Sequence, residues 1–161
     1  MANTYTLIEA KTLTSSSATV DFTNIPQTYT DLLVKVSAKS NRTSFSDMII
    51  RFNSDSTTYY NRRMYADTGN VNHDTSEHTN YAGTNTGSYQ FCNAEYYIPD
   101  YTSARNKSWV VRTVSAMNHA NNAFTTLASG SWDGATAITS LQITDIVTTM
   151  QADSTFYLYG I

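Results

Sequence analysis

Apolar and polar residues alternate with a period of two along most of this chain, a spacing that predicts strands rather than helices. Leu32, Val34, Val36 and Ala38 fall on one side, with Lys35, Ser37 and Lys39 on the other. Met48, Ile50 and Phe52 repeat the pattern against Asp47, Arg51 and Asn53. These two segments are the expected core strands. Ala18, Val20 and Phe22 alternate with Thr19 and Asp21, and Asn24-Ile25-Pro26 ends that strand. Pro26 has no N–H for a ladder and holds Ile25 extended. Further strands are predicted over residues 4–10, 58–66, 89–98, 107–117, 123–132, 138–144 and 154–161, with one short helical turn over 28–31. Within residues 89–98, Cys92, Ala94, Tyr96 and Ile98 share a face before Pro99 stops the run.

About ten closely spaced strands without long helices predict an all-β fold, a two-sheet β-sandwich of jelly-roll-like form. No repeat or linker divides residues 1–161, so a single domain is expected. The stretch from Asp67 to Ser88 departs from the pattern. It holds Gly69, Gly83 and Gly87 among many Asn and Thr residues, with Val71, Tyr81 and Ala82 as its apolar content. It reads as a long polar loop, a feature usually tied to function or disorder.

Composition agrees. Charged residues make up 14% of the 161, well below the usual quarter, and Thr, Ser and Asn take their place. Thr and the 12 tyrosines favour strands, while Asn, Ser and Gly favour the turns between them. A net charge of −3 offers no basic field for phosphates, so no nucleic-acid partner is expected. No apolar run approaches the roughly 20 residues of a membrane span. The start, Met-Ala-Asn-Thr-Tyr-Thr-Leu-Ile, has no signal-peptide pattern, which implies synthesis in a cytosol. The single cysteine, Cys92, excludes an intrachain disulfide.

Candidate chemistry is sparse. His73 and His78 lie five apart around Glu77 in a segment without helical pattern, so they read as a solvated loop rather than a zinc site. Asp67-Thr68-Gly69-Asn70-Val71-Asn72 lacks the bidentate Glu and flanking helices of an EF-hand. Cys92 reads as a small buried hydrophobe. Gly130-Ser131-Trp132 lacks a nucleophile elbow, and the 13 acidic residues single out no catalytic pair. No enzyme activity, metal or cofactor is expected. Tyr59-Tyr60-Asn61-Arg62-Arg63-Met64-Tyr65 interleaves aromatics with arginines, and reads as a strand whose Arg stems cover tyrosine rings.

The tyrosines carry more information. If Phe156 and Leu158 enter the core, then Tyr157, Tyr159 and Ile161 form an outward stripe, and Tyr97 opposes Tyr96 in the same way. Tyrosine gives large contact area at low entropic cost, so Tyr97, Tyr157, Tyr159 and Ile161 are interface candidates. The competing expectation is that a second layer covers this face. Tyr81 in the polar loop and Trp132 beside Gly130 and Gly134 are the candidates for a ligand or receptor surface.

Tyr5-Thr6-Leu7-Ile8, the segment from Asn24 to Leu32, Ile50-Arg51-Phe52-Asn53, the segment from Tyr97 to Thr102, Ala137-Ile138-Thr139-Ser140-Leu141 and the closing Ser154 to Ile161 resemble small virion proteins of tailed bacteriophages, notably phages of aquatic bacteria. The resemblance spans most of the chain except the loop from Asp67 to Ser88. It implies a structural role in the particle and a virion location after synthesis in the host cytoplasm, and it supplies no active site. Tail fibres usually carry a plug-in N-terminal segment, and strand signals here begin within a few residues of Met1. The leading expectation is therefore a capsid decoration (cement) protein, a symmetric homo-oligomer such as a trimer, with the major capsid protein (or a tail component) as partner. The alternative is a carbohydrate- or receptor-binding module of the head or tail fibre, with a glycan as ligand.

Overall fold

The computed structural model describes residues 5–42, 46–56, 59–66, 70–75, 80–82, 91–116 and 123–161, of which 80–82, 116 and 123 are described by backbone alone. The period-two alternation becomes twelve strands, and no helix occurs among the described residues. They are β1 (Thr6–Thr12), β2 (Thr19–Phe22), β3 (Leu32–Ala38), β4 (Ser46–Phe52), β5 (Tyr59–Ala66), β6 (Val71–Asp74), β7 (Asn80–Ala82), β8 (Cys92–Ile98), β9 (Lys107–Ala116), β10 (Ala123–Trp132), β11 (Leu141–Asp145) and β12 (Thr155–Gly160).

Eight of these strands have jelly-roll connectivity. β1-β12-β3-β8 lie side by side in one sheet and β2-β11-β4-β7 form the other, so the chain passes back and forth between two layers. Two insertions widen the first sheet. β5–β6 falls between β4 and β7 in the chain, and β9–β10 falls between β8 and β11. Together they add β9-β10-β5-β6 beyond β8, giving the order β1-β12-β3-β8-β9-β10-β5-β6. Every pairing is antiparallel, and β8 and β9 stand at the middle of the 8-stranded sheet.

The core lies between the sheets. Val34, Val36, Tyr96, Ile98, Phe156 and Leu158 point from the large sheet toward Phe22, Met48, Ile50, Phe52, Leu141 and Ile143 of the small one. Each fully buried aliphatic or aromatic side chain of this kind contributes about 1.5–3 kcal/mol. Beneath the inserted hairpins the interior turns polar. Arg63, 5% exposed, reaches Asp47 (3.5 Å) and Asp74 (2.6 Å), and the hydroxyls of Thr113, Ser115 and Thr126 are buried without partners.

Turns are fixed by Asn and Asp side chains. Asn53 adopts a φ of 52°, a left-handed conformation that Asn tolerates better than most residues. Its Oδ1 accepts from the backbone N–H groups of Thr139 (2.8 Å) and Ser140 (3.1 Å), and its Nδ2 donates to the Ala137 carbonyl (2.8 Å). Asp145, buried, accepts at Oδ1 from Ser46 Oγ (2.6 Å) and from the N–H groups of Val147 and Thr148. Gly160 lets the Tyr29 ring lie on the backbone, since a Cβ there would stand 2.3 Å from ring carbons.

Three expectations are corrected. The twelve strands exceed the expected ten, because β6 and β7 form within the expected loop from Asp67 to Ser88, of which residues 67–69, 76–79 and 83–88 lie outside the described residues. Residues 28–31 form no helical turn; the N–H groups of Thr30 and Asp31 instead bond to the Ile161 carbonyl. Ile138 is buried but precedes β11, which begins at Leu141.

Candidate interface on the open face of the large sheet

One face of the large sheet packs on the small sheet. On the other, strand alternation and cross-strand register set side chains in rows across the strands. One row runs Leu7, Tyr159, Leu33, Tyr97, Val110, Ser129 and Arg62. The next runs Ala10, Tyr157, Lys35, Glu95, Arg112, Leu127, Met64 and His73. The expectation that a second layer covers this face does not hold for most of it, although Leu33 is buried there. Leu7 is 52% exposed, Met64 54%, Leu127 48% and Val114 53%. Leu127 and Met64 are in register on neighbouring strands and Val114 lies beside them, so these three form one exposed apolar cluster, with Leu7 apart at the β1 edge.

The tyrosines edge this face on its jelly-roll side. Tyr157 and Tyr159 stack with centroids 6.5 Å apart, and Tyr5 meets Tyr159 edge-on at 6.4 Å. Leu33 sits between Tyr159 and Tyr97 in register and is itself buried. The Tyr97 hydroxyl donates to Asp31 Oδ2 (2.7 Å), while Asp31 Oδ1 accepts from the Asp100 N–H (3.0 Å). That hydrogen bond, with burial and the Asp31 charge behind it, raises the Tyr97 pKa above its ordinary value. Ile161, half-buried, exchanges backbone hydrogen bonds with Asp31 at the rim.

A charge ladder crosses the centre. Glu95 accepts from Arg112 Nη2 (2.6 Å) and stands 3.6 Å from Lys35 Nζ. Both pairs are exposed, so they add little stability. They set a fixed order of charge instead: positive, negative, positive, then apolar Leu127 and Met64. Between this row and the row of Asn93, Val114 and Thr125 lies a groove of about 520 Å³. A second concavity of about 680 Å³ lies farther out, against Met64, His73, Leu127 and Ser129.

The structure brings Tyr97, Tyr157, Tyr159 and Ile161 to this face. Of the two residues expected on a ligand surface, Trp132 is not on one, and Tyr81 is described by its backbone alone. Trp132 is 2% exposed and belongs to the core. Its indole N–H donates to Asp55 Oδ2 (2.8 Å), and its ring meets Phe52 edge-on at 5.7 Å and covers Gly134. Tyr81 pairs with Asp47 in β7, and its side chain lies outside the described residues. Leu127, Met64, Glu95 and Arg112 are not among the sequence-based candidates, although the alternation in β5, β8, β9 and β10 places them opposite buried residues.

No group of three or more His, Cys, Asp or Glu among the described residues is placed to hold a metal, and His78 and Glu77 lie outside them. Cys92 is fully buried. Burial pushes the Lys107 amine below its usual pKa, but that amine donates to the Ser103 (2.5 Å) and Arg105 carbonyls and is closed off from solvent. No described helix is long and apolar enough to cross a membrane. In comparisons with known proteins, no family model, curated protein or solved structure matches this chain.

Proposed function

We propose that this chain is a structural protein of a bacteriophage virion, and within that class a capsid decoration (cement) protein. The observation that carries the reading is the open face of the large sheet, a broad surface with aromatic and apolar flanks and a charged centre, set on a jelly roll. A block of this kind, joined to its own copies through that face, strengthens a lattice by spanning neighbouring subunits. The resemblance of the segments at Tyr5, Asn24, Tyr97 and Ser154 to phage virion proteins supplies the setting. The major capsid protein, or a tail component, is then the surface it strengthens.

The test is to prepare heads with and without the protein and compare their resistance to heat, after locating the chain in images of the intact particle. Heads lacking it should open at lower temperature. Equal robustness, or absence of the chain from purified particles, overturns the reading.

A carbohydrate- or receptor-binding role is the second reading, favoured by the groove beside Lys35, Glu95 and Arg112 with tyrosines at its margin. A glycan array separates the two, because a decoration protein should bind heads and not glycans.

A further inference from the structure

We propose that the open face pairs with the same face of a second copy of this chain, about a two-fold axis running along the seam between β8 and β9. The inference rests on the reading of the open face as an assembly surface and names its occupant.

The seam divides the large sheet evenly, with β1, β12, β3 and β8 on one side and β9, β10, β5 and β6 on the other. A two-fold axis parallel to the strands exchanges β8 with β9, β3 with β10 and β12 with β5. In that register Glu95 meets Arg112 of the partner subunit, and the symmetric contact repeats it. Tyr97 meets Val110 of the partner subunit, Tyr157 meets Met64 of the partner subunit, and Tyr159 meets Arg62 of the partner subunit. The last two are sulfur–aromatic and cation–π contacts. Lys35 meets Leu127 of the partner subunit and keeps its ammonium along the groove.

Other placements of the axis fit worse. An axis through β8 sets Glu95 on its own copy and Lys35 on Arg112. An axis through β9 sets Arg112 on itself. An axis between β3 and β8 again pairs Lys35 with Glu95, but leaves three strands facing five and uncovers one side of each sheet. Among axes parallel to the strands, the central seam satisfies both charge order and coverage.

The area suffices. Eight strands about 4.8 Å apart, with outward residues over about 20 Å of strand, offer roughly 700 Å² per copy. A pair would bury roughly 1,400 Å², within the range of stable specific interfaces. The sheet edge offers a poorer route. β1 carries a register shift between Leu7 and Glu9, and a bulge on an edge strand blunts strand-to-strand association.

Sedimentation of the full chain tests this. The wild type should run at twice the chain mass. Leu127 is exposed, so both Leu127→Glu and Leu127→Arg should fold, which circular dichroism verifies. Leu127→Glu places a carboxylate opposite Lys35 of the partner subunit and should keep the dimer. Leu127→Arg places a cation there and should weaken it by about tenfold or more. A monomer at concentrations on the order of 100 µM, a trimer or larger species, or equal effects of the two substitutions overturns the inference. A monomer that still strengthens heads would leave the decoration reading standing, whereas a dimer that heads do not need would remove that reading and leave this one.

Discussion

Replacing Trp132 by alanine removes the largest ring at one end of the sandwich and should be among the most damaging single changes in this chain. The indole is 2% exposed, packs edge-on against Phe52 and lies over Gly134, where even a Cβ would stand 2.0 Å from a ring carbon. Truncating a buried tryptophan in such a setting costs about 3–5 kcal/mol. At about 2–4 °C per kcal/mol for a domain of this size, the melting temperature should fall by about 6–20 °C. Trp132→Phe keeps an aromatic ring against Phe52 but loses the hydrogen bond to Asp55, so it should cost less, about 1–3 kcal/mol. Urea unfolding followed by far-ultraviolet circular dichroism reads both variants without relying on the mutated fluorophore. Trp109, also 2% exposed, gives a second signal that should shift to the red only on unfolding. The reasoning fails if Trp132→Ala unfolds within about 1 kcal/mol of wild type, as expected of a surface aromatic.

Three further outcomes are expected. Gly160→Ala drives a Cβ against the Tyr29 ring and should cost about 1–3 kcal/mol in urea unfolding, with an unchanged midpoint refuting that packing. Arg63→Ala leaves the buried Asp47 and the Asp74 carboxylate without their shared guanidinium and should cost about 3–5 kcal/mol, measured in the same way. Tyr97→Phe should flatten the alkaline limb of the stability curve. The raised Tyr97 pKa means its contribution is complete below the ordinary phenol value of about 10 and is lost as pH rises through the folded value. Urea midpoints across that range should therefore fall more steeply for wild type than for the variant, and parallel curves would exclude the Asp31 hydrogen bond as the cause.

Much of this architecture was legible where one face of a strand is buried. Residues 123–132 were bounded as β10 without error, and the alternation in β3, β8 and β12 separated inward from outward side chains, whereas Asp47 of β4, expected to face out, is buried against Arg63. β6 and β7 left no such trace. Val71 is 75% exposed, so β6 exists because it pairs with β5 and because Asp74 meets Arg63, neither of which a local pattern records. Trp132 was misassigned because neighbouring glycines suggested an open sandwich end. Its parity with Phe124, Thr126 and Ala128, all buried, pointed inward all along. The tyrosine stripe was visible for a simple reason: a tyrosine beside a buried residue in a strand must face away. The apolar half of the open face was not visible, since Leu127 and Met64 gain meaning only when β5 and β10 are known to be neighbours.

That adjacency also governs how the chain reaches its final form. β5 and β10 are registered residue by residue, yet their partners lie about sixty to seventy positions apart in the sequence. Until β9–β10 has docked on β8, the β5–β6 hairpin has no platform, and two-stranded hairpins are barely stable alone. The widened half of the sheet is consequently built outward from β8, with β9–β10 seated before β5–β6. Excising β9–β10 would cast β5–β6 loose even with every jelly-roll strand intact, whereas β9–β10 would keep its seat on β8 without β5–β6.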